Sequence, residues 1–187
     1  MYDMLCKQPF LNKTMRNTLI SLVFLFSLGG CNMGSVYQAY LGAPLPAIRV
    51  ATVEGATFFR QDMINRYIDA VRFLTVDELR IENSAEHSAV QVEPGFHEYR
   101  VYFHWDMGNE RGLAPALVNY AANRETMSRT LRFNARAGEV YTVHAQPYFS
   151  DNPRDITTLT HVDFWVEDAN GVEVVSQAQG RYVPAQQ

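Results

Sequence analysis

The sequence predicts a mainly β chain, folded as an antiparallel β-sandwich with one short helix or a long loop inserted between strands. Three observations point there. Apolar and polar residues alternate over runs of strand length, turn motifs such as Pro94-Gly95, Ala137-Gly138 and Asp168-Ala-Asn-Gly171 separate those runs, and the pairs recur a few tens of residues apart.

The chain begins differently. Lys7, Lys13 and Arg16 precede an unbroken apolar run from Thr18 to Leu28, followed by Gly29, Gly30 and Cys31. As a helix, this run of about 11 residues spans roughly 16 Å, too short for a hydrocarbon core of about 30 Å. It has no amphipathic face, which separates it from a buried helix, and its basic flank is that of an export signal. Leu28-Gly29-Gly30-Cys31 also resembles the lipobox of bacterial lipoproteins. That resemblance implies cleavage of 1–30 as a signal peptide, lipid attachment at Cys31 and a membrane held as partner through the N-terminal lipid. In the same class, aspartate after the cysteine resembles an inner-membrane retention signal. Asn32 in that place implies the outer membrane, facing the periplasm.

After the leader, 157 residues remain, enough for one domain with a real core. A hydrophobic fraction of 47% excludes wholesale disorder. Taking the leader's three basic residues and Asp3 from totals of 16 and 20 leaves 13 and 19, a net charge of −6. Such a surface argues against nucleic acid, whose binding draws mainly on cationic side chains. Both lysines lie in the leader, so no lysine amine remains for Schiff-base chemistry. Cys6 is also in the leader and Cys31 is taken by lipid. The domain therefore has no disulfide, thiol nucleophile or cysteine metal ligand.

Residues 31–46 read as a lipidated tether, with Gly and Pro at both ends and no clear period, and 47–187 as the sandwich. Strands are expected over Ala47–Val53 and Val71–Val76; Leu79–Ile81 is too short to assign. Between them Ile64, Tyr67, Ile68 and Val71 have helical spacing, which predicts a helix over about Gln61–Ala70. The run from Ala89 to Trp105 is split by Pro94-Gly95 into two strands of a hairpin, with Tyr99, Val101, Phe103 and Trp105 on the core face. Met107–Thr126 is the long loop or short helix. A second hairpin covers 128–145, with Leu131 and Phe133 before its turn and Tyr141 and Val143 after it. A third puts Val162, Phe164 and Val166 inward and returns through Val172–Ser176. Val92-Glu93-Pro94-Gly95-Phe96-His97, followed by Ala137-Gly138-Glu139-Val140-Tyr141, resembles small bacterial modules of the PEGA and carboxypeptidase-regulatory kind. The likeness implies an immunoglobulin- or prealbumin-like sandwich serving as a ligand-free envelope accessory, and no cofactor.

Signatures of common enzymes are missing: no GxSxG elbow, HExxH helix, P-loop, GxGxxG or EF-hand loop occurs. His104, His144, His161 and Asp163 share the outward parity of their strands. If those strands are neighbours, the four residues make a metal or acid–base site, the alternative to solvated polar faces. His97, on core parity beside Pro94-Gly95, is expected to bond a backbone carbonyl. Asp151 and Asp155 offer carboxylates without a readable pairing. Trp105 reads as core, and Trp165, with Tyr102 and Tyr148 as companions, is the better candidate for an exposed aromatic platform. The expected function is that of a non-enzymatic, lipid-anchored binding or structural accessory, with envelope proteins as its expected partners. The alternatives are a metal-binding or hydrolytic enzyme on the histidine face and a subunit of a larger envelope complex.

Overall fold

Alternation becomes strand almost wherever it occurs. The computed structural model describes residues 35–61, 63, 66–106, 128–153 and 155–183. The strands are β1 (Ser35–Gln38), β2 (Ala51–Gly55), β3 (Thr57–Gln61), β4 (Arg66–Val76), β5 (Leu79–Arg80), β6 (His87–Val92), β7 (Gly95–His104), β8 (Ser128–Ala135), β9 (Val140–Phe149), β10 (Leu159–Asp168) and β11 (Glu173–Tyr182). One sheet has the order β1-β6-β2-β9-β10-β11. The other runs β3-β4-β7-β8, with β5 paired to the end of β4. The fold is thus mainly β and sandwich-like.

One core serves both sheets. Val53, Val143, Phe164 and Val166 from the first meet Val71, Phe73, Tyr99 and Val101 from the second, each no more than 1% exposed. Burying such a side chain contributes about 1.5–3 kcal/mol relative to leaving it in water. Tyr99 stacks on Phe133 at 4.7 Å, and Phe133 meets Tyr141 at 5.1 Å, which carries the aromatic packing from sheet to sheet. Every residue assigned to the core face by parity, from Tyr99 through Val166, is buried.

Strand pairing departs from the expected plan. β6 pairs with β1 and β2, whereas β7 pairs with β4 and β8, so Pro94-Gly95 joins two sheets and is not a hairpin turn. The same holds for β8 and β9 at Ala137-Gly138. Alternation fixes which face is buried, and two strands stacked across a core satisfy it as well as two side by side. At the second crossing Gly138, at φ +77°, donates to Val50 O, and Arg136 N donates to the Tyr141 hydroxyl. Only β10–β11 is the expected hairpin, closed by Asp168 Oδ1, which accepts from the N–H groups of Asn170 and Val172. Nor is the first sheet purely antiparallel, because β1 pairs with β6, and β2 with β9, in parallel.

The helix expected over 61–70 is replaced by strand: Gln61 ends β3 and Arg66 begins β4. Aromatic and β-branched residues dominate there (Phe58, Phe59, Tyr67, Ile68), and they suit a pleated surface better than a helix. Part of the expected tether is also structured. Tyr37 and Ala39 pack against the core, and Ala39 N donates to Gln91 O. Ala47–Arg49, expected to be strand, is a 3-10 turn leading into β2. The expected loop at 107–126, the signal peptide and Cys31 lie outside the described residues.

Candidate functional site

The β9–β10 register decides what the predicted site residues meet. Trp165 lies opposite His144, Asp163 opposite Gln146, and His161 opposite Tyr148. Side by side on the outer face of the first sheet, His144 stacks on Trp165 at 5.0 Å and His161 on Tyr148 at 4.4 Å. Glu167 holds the first pair: the indole N–H of Trp165 donates to one carboxylate oxygen at 2.9 Å, and His144 Nε2 lies 3.3 Å from the other. Trp165 thus gives one face and its N–H to neighbours, which leaves less of an open platform than its parity implied. Tyr148 remains 41% exposed on the same face, whereas Tyr102 and Trp105 are buried.

Asp163 has outward parity, yet it is buried. Arg181 Nε and Nη2 donate to its two oxygens at 2.6 and 2.8 Å. The hydrogen bonds from Arg181 hold the Asp163 carboxyl below its ordinary value, against the opposing effect of burial. The carboxylate is therefore committed. His104 stands on β7 in the other sheet, and four residues of β9, about 13 Å at 3.3 Å per residue, separate His144 from the partner of His161. The four residues proposed from parity do not converge. Among the described residues no group of three or more His, Cys, Asp or Glu side chains could hold a metal. His97 behaves as expected, with Nε2 at 2.7 Å from Glu93 O. Its other nitrogen faces Asp77 Oδ2. Asp77 and Glu78, both at positive φ, form the turn between β4 and β5, and Asp77 Oδ1 accepts from Glu98 N. Asp155, a carboxylate whose pairing was not readable from the sequence, accepts from the backbone N–H and hydroxyl of Thr157. Those bonds lower its carboxyl.

Sequence reasoning missed a groove on the outer side of the second sheet. A cavity of about 600 Å³ lies over β4, β7 and the 78–86 loop, with Glu78, Arg80, Glu82, Glu86, Arg100 and Tyr102 among its walls. A neighbour of about 470 Å³ shares Thr75, Glu78 and Arg100. Beside it, on β4 opposite Tyr102, the Nε and Nη1 of Arg72 are buried without hydrogen-bond partners, and burial lowers its guanidinium while Tyr102 acts the other way. Guanidinium and carboxylate groups interspersed along one open groove suit a polar ligand bearing both charges better than a polyanion. The missed signal is faint: Arg72, Arg80 and Arg100 lie on three strands whose neighbours only the fold reveals.

No family model, curated protein or solved structure matches the chain.

Proposed function

We propose that the chain is a lipid-anchored accessory of the bacterial cell envelope, acylated at Cys31, that binds an envelope protein or a polar ligand and does not catalyse a reaction. One observation supports this most: β1 begins at Ser35, four residues after Cys31. Four residues reach at most about 14 Å. A domain so tethered stays at the surface of its membrane, and two or three acyl chains hold it there more firmly than a single marginal chain. The groove over β4 and β7 is the preferred ligand site, since it is a concavity of about 600 Å³ that carries both signs of charge. The preferred address is the outer membrane, periplasmic side. The finer fold assignment, an immunoglobulin- or prealbumin-like sandwich resembling the PEGA and carboxypeptidase-regulatory modules, belongs to the same proposal.

The test is expression of the full-length chain and of Cys31→Ser in a Gram-negative host, with membrane fractionation and intact mass. The expected wild-type product is residues 31–187 plus acyl chains in outer membranes, with the variant unacylated. A soluble, unacylated wild-type product overturns the proposal.

A further inference from the structure

We infer that the exposed side of the β3–β4 hairpin is a second membrane contact, which sets Phe59, Met63 and Ile68 into the interface of the bilayer carrying the lipid. The inference rests on the acylation of Cys31 proposed above. Phe59 and Ile68 are directly opposite one another across β3 and β4, on the face turned away from the core, and are 63% and 46% exposed. Met63, in the sequence between them, is fully exposed. Arg66 lays its guanidinium over the Phe59 ring at 4.0 Å. An apolar cluster with an arginine at its margin matches the amphipathic demand of a membrane interface, where the charge stays with the headgroups.

The hairpin is braced from behind. On its inner side Arg60 pairs with Asp69, reaches Asp106 O at 2.7 Å and lies over the rings of Trp105 and Tyr67. The outer residues are thus presented by a fixed backbone.

Topology puts the start of β1, from which the chain leads back to Cys31, and the hairpin at one end. Ser35 pairs with His87, two residues beyond Ala89, which pairs with Glu54, so β1 starts at the end where β2 finishes. There the chain crosses to the second sheet through Ala56, whose N–H donates to Val143 O and whose carbonyl accepts from Val71 N. β3 continues from that crossing for five residues, about 16 Å. That is comparable to the span of at most about 14 Å from Ser35 back to Cys31. At this end Phe149 packs on Trp105, and the loop that follows carries Asp151 and Asp155. The contact is therefore apolar and does not depend on anionic lipid.

The experiment uses the full-length acylated protein in phosphatidylcholine vesicles. With Cys6 removed and Cys31 acylated, Met63→Cys provides a single thiol for a polarity-sensitive dye. Ile48→Cys is the control, 79% exposed at the opposite end beside Gly138. Intact mass is read first. Missing acyl chains overturn both the anchor and this inference. For acylated, vesicle-bound protein, the dye at position 63 is expected to shift to the blue and to be quenched at least about twofold by nitroxide-labelled lipid, with position 48 unchanged. Adding phosphatidylglycerol should not strengthen the effect. A water-like spectrum at position 63 on bound, acylated protein overturns the second contact and leaves the anchor standing. A concentration-dependent shift without vesicles overturns it in favour of self-association.

Discussion

Arg60→Met removes the guanidinium behind the β3–β4 hairpin while keeping an apolar stem over Trp105. Asp69, 4% exposed, accepts from Arg60 at 3.0 and 3.2 Å and from Asp106 N at 2.8 Å. After the substitution only the Asp106 bond remains to a carboxylate out of water. Breaking a buried pair from one side costs about 3–5 kcal/mol, and the 20% side-chain exposure of Arg60 favours the lower figure. Loss of the stacked cation on Trp105 adds about 0.5–1 kcal/mol, part of which the methionine stem restores. The expected loss is about 3 kcal/mol in urea unfolding, followed by tryptophan fluorescence. For a domain of this size it corresponds to roughly 6–12 °C in Tm. The double variant Arg60→Met, Asp69→Asn should recover at least about 1 kcal/mol of the summed single losses, because it also removes the stranded charge. A loss under about 1 kcal/mol for Arg60→Met would refute the reasoning, since that is the scale of an exposed ion pair.

Two further outcomes follow from groups in the core. The Tyr99 hydroxyl is buried without a partner, and burial, with Asp77 and Tyr141 adding to it, pushes the phenol far above its usual value; Tyr99→Phe should raise the unfolding free energy by about 1 kcal/mol. A loss of similar size in denaturant titration would show that the hydroxyl does have a partner. Asp163 has a lowered folded-state carboxyl value. It binds its proton more weakly when folded, and it stabilises the domain above the unfolded value of about 3.9. That contribution fades as pH falls through the folded value. The stability gap between wild type and Asp163→Asn should therefore stay constant above about pH 5 and narrow below about pH 4. A gap that widens toward acid contradicts the assignment.

Which faces are buried was readable from the chain, and which strands are neighbours was not. Leu131, Phe133, Tyr141 and Val143 alternate inward as expected, but β8 and β9 stand in different sheets. A crossing and a hairpin use the same Gly-containing turn, and what separates them is long-range pairing with β7 and β10. The turn Asp168–Gly171 was legible because its chemistry is local: one carboxylate oxygen closes it. The false helix has a similar cause. Ile64, Tyr67, Ile68 and Val71 satisfy a period of 3.6, while Tyr67, Asp69 and Val71 satisfy a period of two. The second period wins because it lets Asp69 meet Arg60 on one face and Ile68 meet Phe59 on the other.

The candidate site fails in sequence for the same reason and is rebuilt by the same register. Outward parity collected His104, His144, His161 and Asp163, but a site needs adjacency, which here depends on how β10 lies against β9. That register is fixed from the inside. A slip of one residue would turn Phe164 and Val166, both fully buried, into water and bring Asp163 into the core. By holding those two side chains, the core also places Trp165 beside His144 and His161 beside Tyr148. The outer face is therefore a consequence of core packing, with its histidines spent on aromatic neighbours. Unlike that face, the second sheet keeps Arg72 Nε and Nη1, on β4 beside the groove and not among its walls, buried without partners among the described residues. A buried donor left unpaired costs about 1–3 kcal/mol, so Arg72 is a net cost that the apolar packing of the second sheet has to offset.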